Sequence, residues 1–243
     1  MTTTTHRART RGAAAARSIH EAPAYRAAEA AYLLKLNAST VRAWCFGQDY
    51  RYRGSDRWFR AVIRPADPAR RLLSFSNLCE LHILGAMTRG HRVPLQRVRR
   101  ALDYVRRRMG SARPLLDKDF QTNGLDLFLS DGAQLVNVSG GGQIALRGEF
   151  ERALDRIQRD SGGMPVRLFP YSRRSGESTT IPTVIAIDPS IEFGRPIVAR
   201  AGVRTDVIGD RFAAGDTPRD MAEDYGVSEE EILEALRYER LAA

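Results

Sequence analysis

The sequence predicts a mixed α/β fold of the α+β kind, with a helix-turn-helix and basic hairpin in front, a strand-rich middle and a small helical unit at the end. Three observations predict it. Short segments with apolar residues at helical spacing occur in pairs near both ends. The spacing changes to two after Phe120. Charge is divided unevenly: residues 1–113 hold 23 Arg and Lys against 7 acids, residues 114–203 hold 10 against 11, and residues 204–243 hold 5 against 11. A cationic front and an anionic tail ask for a polyanion at one end and a different partner at the other.

The elements follow in order. Residues 1–22 read as a disordered basic arm. In the unit 23–113, Ala27, Ala28, Ala31 and Leu34 fall on one helical face, Lys35-Leu36-Asn37 forms a turn, and Asn37 caps a second helix from Ala38 to Phe46 that Gly47 stops. Aromatics alternating with arginines about Gly54-Ser55 read as a short twisted hairpin. Ser76 caps a helix through Leu78, Leu81, Leu84 and Met87, ended by Gly90; Pro94 opens another through Leu95, Val98, Leu102 and Val105.

In the unit 114–186, Leu125, Leu127 and Leu129 precede a turn at Asp131-Gly132, and Gly140 to Gly142 read as a second turn of a strand meander. An amphipathic helix over 149–159 follows through Phe150, Leu154 and Ile157, then strands in PVRLFPY and PTVIAI. The last unit, 187–243, holds a hairpin and at least two helices. Thr217 with Pro218 and Asp220 opens one, Gly226 breaks it, and Ser228 with Glu231 forms a capping box for the next. Ile232, Leu233 and Leu236 are expected inward, and Glu229, Glu230, Glu231 and Glu234 on the outward face.

Composition excludes several classes. No apolar run approaches the ~18 residues of a membrane span, and the arm lacks the apolar centre of a secretory signal. Cys45 and Cys79 make no metal spacing with His6, His20, His82 and His91, so buried thiols in a reducing cytoplasm are expected, with no metal and no cofactor. SGGGQ lacks the GK[ST] of a phosphate loop. Asp117/Asp119 and Asp126/Asp131 lie in polar turns, and no Ser/His/Asp or Cys/His set has supporting context, so the chain is not read as an enzyme. A site within residues 115–180 stays as the enzymatic alternative.

The front hairpin carries the chemistry. At 100° per residue Val41, Trp44 and Cys45 face inward, while Ser39, Arg42, Ala43 and Phe46 face outward. Ser39 and Thr40 stand in the first turn, where hydroxyls and free amides hold phosphate. Arg42 is placed for a guanine edge or a phosphate, and Arg51, Arg53, Arg57 and Arg60 on the hairpin for the backbone or minor groove. Periodicity alone leaves a packed hairpin with a solvated Arg face equally open; the basic wing tips the balance to DNA. The tail hairpin repeats the pattern with carboxylates, which phosphates repel, so it is not a DNA reader.

Residues 25–109, through YRAAEAAYLLKLNASTVRAW, the basic hairpin and FSNLCELHILGAMTRGHRVPLQRVRRALDYVR, resemble the MerR-type winged helix-turn-helix. The resemblance implies that the second helix enters the major groove, the wing touches flanking backbone, and the later helices brace the domain. Lys35 stands where that family often has Gly, and Asn37 where Ser is frequent. The family's long dimerising coiled coil and effector domain are missing.

Residues 187–239, with Gly194-Arg195-Pro196, Gly215, Gly226 and Tyr238, resemble a small antitoxin-type domain of formerly unknown function. The pairing of this domain with a winged reader is similar to the VapB-type antitoxins of type II toxin–antitoxin systems. It implies a homodimer that binds double-stranded operator DNA, represses its own operon and neutralises a PIN-type ribonuclease. Such a toxin clusters carboxylates about a divalent metal. Inhibition then comes either from an arginine among those carboxylates, with Arg195, Arg200 and Arg204 as candidates, or from the acidic helix with Glu230 and Glu234. These same residues equally suit hairpin bracing and a solvated helix start. The alternative function is a free-standing MerR-like regulator whose central region binds a small molecule.

Overall fold

The computed structural model describes residues 19–52, 54–91, 95–117, 140–172 and 183–240. Pro94 and the expected strands from Leu125 to Val136 lie outside them.

The front unit begins with β1 (Tyr25–Arg26), α1 (Ala27–Leu34) and α2 (Ala38–Phe46). The turn between the helices closes as the sequence requires. Lys35 adopts a left-handed φ of 53°, and the Leu36 amide donates to Ala31 O at 2.9 Å. Asn37 Oδ1 accepts from the Ser39 amide at 2.9 Å, the N-cap bond that starts α2. Gly47 ends α2 at φ 76°, with the Trp58 ring packed where a side chain would stand. The wing follows as the hairpin β2 (Gln48–Tyr52) and β3 (Ser55–Phe59), paired Gln48↔Phe59 to Tyr52↔Ser55.

β4 (Leu72–Leu73) returns to pair with β1, and the Ala24 amide donates to Leu73 O at 2.8 Å. Two-residue strands are too short to show a period, so sequence reading did not reach this pair. The helix α3 (Phe75–His91) starts two residues earlier than the Ser76 cap implied. Ser74, not Ser76, is reciprocally bonded to Asn77: the Asn77 amide donates to Ser74 Oγ at 3.3 Å, and the Ser74 amide to Asn77 Oδ1 at 3.1 Å. Ser76 is instead buried and donates its hydroxyl to His20 O. α4 (Leu95–Met109) buries Val98, Leu102 and Val105 as its spacing predicts. Behind it Arg113 clamps Glu21 and the buried Glu80, each at 2.6 Å. Burial pushes the Glu80 carboxyl up, opposed by Arg113.

The middle differs from expectation. Gly140 to Gly142 form no hairpin turn, and Gln143 to Leu146 no strand: both stand in α5 (Gly140–Asp155), which packs on α3. Tertiary packing overrides the weak helix propensity of three glycines. α5 also stops sooner than residue 159. Ile157 belongs to β5 (Ile157–Arg159), because a short apolar spacing of 4 and 3 serves a strand start as well as a helix face. Strands β5, β6 (Pro165–Leu168), β7 (Ile185–Ile187) and β8 (Pro196–Val198) form one antiparallel sheet in that order. Phe150 and Leu154 join the large front core with Leu168 and Ile187.

Three helices end the chain: α6 (Thr205–Ala214), α7 (Pro218–Tyr225) and α8 (Glu229–Arg240). The caps of α7 and α8 match the sequence. The Asp220 amide donates to Thr217 Oγ1, Gly226 is left-handed, and Ser228 and Glu231 bond reciprocally at 2.8 and 3.2 Å. Ile208, Met221, Ile232, Ala235 and Leu236 make a second core against Ile185 and Val198.

Candidate nucleic-acid interface

α2 is held by its inner face. Val41, Trp44 and Cys45 are buried, as the spacing requires. Burial pushes both cysteine thiols well above their ordinary range, so they are protonated packing groups. Ala43 is also buried and Phe46 half-buried, contrary to the expected outward face. Both lie where the chain leaving the wing closes over the C-terminal turn of α2: Val62 and Ile63 amides donate to Trp44 O at 2.7 and 3.0 Å.

The outward face is therefore narrower, with Ser39 and Arg42 exposed and Thr40 half-buried. Ser39 is already committed to the cap, since both its amide and its hydroxyl donate to Asn37 Oδ1, at 2.9 and 2.7 Å. Arg42 has no ion-pair partner among the described residues.

On the wing Arg51, Arg57 and Arg60 are exposed, and Arg53 lies outside the described residues. Arg51 faces Asp56 across the hairpin at 3.4 Å, a solvent-exposed pair that water largely screens. The structure thus brings Arg42, Arg51, Arg57 and Arg60 onto connected elements, α2 and the hairpin that follows it. Trp58, 59% exposed on the same hairpin, was not singled out by sequence reading, which took every wing aromatic as a structural alternation.

The terminal unit is not an independent appendage. Its last helix docks on α1: Tyr238 donates its hydroxyl to Leu33 O at 2.8 Å, and Glu239 accepts from both Tyr32 and Thr205. Lys35 Nζ lies 3.5 Å from the Tyr238 ring centroid and 4.5 Å from that of Tyr32. Tyr25 donates to Gly194 O at 3.3 Å, and Arg195 pairs with Glu29 at 3.4 Å. The left-handed Lys35, at a position that favours Gly, is thereby fixed by two aromatic rings. Burial lowers its ammonium pKa to about 8, partly opposed by Glu239.

The carboxylates divide differently from the expectation. Glu229 and Glu230 are exposed, but Glu234 is 1% exposed, accepting from Ser172 and Arg237, while Leu233 is 43% exposed. The helix is rotated so that Glu234, with Ala235 and Tyr238, turns inward, because its hydroxyl and guanidinium donors satisfy it there. Arg204 is held by Asp206, and Arg200 lies 4.0 Å from Glu231. Beside Arg195, Glu192 and Phe193 take consecutive left-handed φ values of 47° and 53°, and Phe193 is 94% exposed. No periodicity flags such a residue.

Residues 23–102 match the family model described as "Putative DNA-binding HTH domain", and residues 185–238 match "Protein of unknown function (DUF433)". A Mycobacterium tuberculosis protein named "Putative antitoxin VapB45" is 27% identical over 235 residues, covering 89% of this chain and 93% of that protein. A second protein of that organism, "Uncharacterized protein Rv2308", is 25% identical over 221 residues, covering 87% of each. The crystal structure of Rv2018 from Mycobacterium tuberculosis superposes with a TM-score of 0.62 at 22% identity, covering 88% of this chain and 97% of that one. The two share a fold.

With the helix-turn-helix match in place, the geometry has a direct chemical reading. α2 offers one exposed guanidinium above a helix start, and the wing adds Arg51 and Arg57 on a two-stranded ribbon with Arg60 directly after it. Among the described residues no group of three metal-ligating side chains gathers, and no helix is long and apolar enough to cross a membrane.

Proposed function

We propose that this chain is a VapB-type antitoxin with a MerR-like winged helix-turn-helix. It acts in the cytoplasm as a homodimer, binds double-stranded operator DNA to repress its own operon, and neutralises a PIN-type ribonuclease. It is not an enzyme. The observation that carries the reading is the exposed Arg42 on a helix otherwise buried by Val41, Trp44 and Cys45, continued by the basic wing. The relative named as an antitoxin, aligned over most of both chains, supports the partner class.

At the start of α2 Thr40 offers a hydroxyl donor and Ser39 one that must first leave Asn37 Oδ1, and Arg42, Arg51, Arg53, Arg57 and Arg60 supply cations to phosphates or base edges. A palindromic operator asks for two-fold protein symmetry, hence the homodimer. On the terminal unit Arg195, Arg200 and Arg204, together with exposed Glu230, form the toxin-facing set. Glu234 braces that helix from inside. Phe193 adds an apolar anchor of the kind that dominates interfaces, and its strained backbone is what an observed binding residue often shows.

Co-expression tests the reading. A small neighbouring open reading frame is expressed alone and with this chain, and growth is followed alongside binding to duplex from upstream of the pair. Growth arrest by the neighbour, relief by this chain and a shifted duplex are expected. Arrest without relief, with no complex recovered, contradicts the antitoxin role.

A further inference from the structure

The chain leaving the wing, residues 60–65, lines an open cleft of about 510 Å³ against α4. Arg60, Arg64, Arg99 and Arg106 stand in its wall beside a single acid, Asp103, with Val62 and Ile63 as apolar lining. Arg106 and Asp103 are already tied together at 3.1 Å, and Arg106 also donates to Val62 O at 2.8 Å, so this pair is a fixed part of the wall. The other three arginines are different. Arg60 and Arg64 are exposed, Arg99 is half-buried with its guanidinium 5.7 Å from the Phe59 ring centroid, and none has an ion-pair partner among the described residues.

Three uncompensated guanidiniums converging on one cleft repel each other and call for an anion that carries more than one negative charge or several acceptor oxygens. Phosphate meets that need, because its oxygens match planar guanidinium forks and its charge exceeds that of a single carboxylate. The volume falls within the ~300–1,000 Å³ of ordinary ligand sites. The cleft is also fixed to the reading helix, since Val62 and Ile63 amides both hang from Trp44 O.

We infer that this cleft is a phosphate-binding site, with Arg64 and Arg99 as its principal ligands and Arg60 shared with the wing. The phosphate comes either from duplex backbone flanking the wing or from a small phosphorylated molecule. The first source rests on the DNA-binding reading above; the second does not.

Two arms tell the sources apart, using the full chain, the Arg64→Ala/Arg99→Ala double variant and Arg64→Lys/Arg99→Lys. Circular dichroism first checks that the variants fold. In one arm, calorimetry without DNA follows inorganic pyrophosphate. In the other, anisotropy follows the upstream duplex across salt concentrations. A duplex source is supported when the Ala variant lowers the salt slope by about two, with the Lys variant holding near wild type. A small-molecule source is supported when saturable pyrophosphate binding is lost in the Ala variant while duplex binding stays unchanged. Should wild type fail to bind duplex, the DNA reading falls and the pyrophosphate arm decides the cleft alone. The inference is overturned when no arm responds: the wild-type salt slope persists in the Ala variant, and pyrophosphate binding is either missing or equal in both.

Discussion

Replacing Tyr238 by Phe should weaken the front half of the molecule, although Tyr238 lies on the last helix. Its hydroxyl donates to Leu33 O, one of the final carbonyls of α1 that the helix itself leaves without a partner. Leu33 and Tyr238 are both buried, so the variant strands a carbonyl away from water. The cost is about 1–3 kcal/mol, or roughly 2–12 °C in melting temperature for a chain of this size. Trp44 reports on the front core, being buried beside Val41, whereas Trp58 is already exposed. Thermal unfolding followed by tryptophan fluorescence should therefore show the drop, and far-ultraviolet circular dichroism should show the same midpoint. Leu233→Ala, at an exposed position of the same helix, should move neither signal by more than about 1 °C. A Tyr238→Phe protein with wild-type midpoints by both probes would refute the docking described here.

Three further outcomes follow from the same structure. Gly194→Ala should cost about 2–4 kcal/mol or prevent folding, read by thermal unfolding, because φ is 74° and an added Cβ would stand 1.9 Å from Tyr25 Oη, a side chain only 2% exposed. Relative to Lys35→Met, wild type should gain stability as pH rises from about 8 to 10.5. The native ammonium gives up its proton near 8, so the unfolded chain binds more protons across that window, and the gain is about 1–2 kcal/mol after allowance for partial exposure. Urea titrations at about pH 7.5 and about pH 10.5 would show it. Phe193→Ala should leave the melting temperature within about 1 °C while weakening toxin capture, measured by co-purification.

Much of the fold was legible wherever local chemistry decides structure. Asn37, Gly47, Thr217, Gly226 and Ser228 mark ends through hydrogen bonds or backbone freedom contained within four residues, and each sits at the end it predicted. The inner row Val41, Trp44 and Cys45 was legible for the same reason. What failed depends on partners far along the chain. Ala43 and Phe46 are covered by the segment after the wing, Glu234 is drawn inward by Ser172, and Gly140 to Gly142 are helical because α5 packs on α3. The β1–β4 pair joins Tyr25 to Leu73, far apart along the chain. The candidate site divides likewise. Arg42 and the wing arginines follow from periodicity and charge, but the cleft formed by Arg64 and Arg99 exists only once the wing returns against α4.

Charge reversal on the two look-alike helices tests the account most directly. Binding of the upstream duplex is measured against salt for wild type, Arg42→Glu and Glu230→Lys. The account predicts that Arg42→Glu loses at least tenfold in affinity with a slope shallower by about one or more, while Glu230→Lys stays near wild type. Wild-type affinity and slope in Arg42→Glu would contradict it.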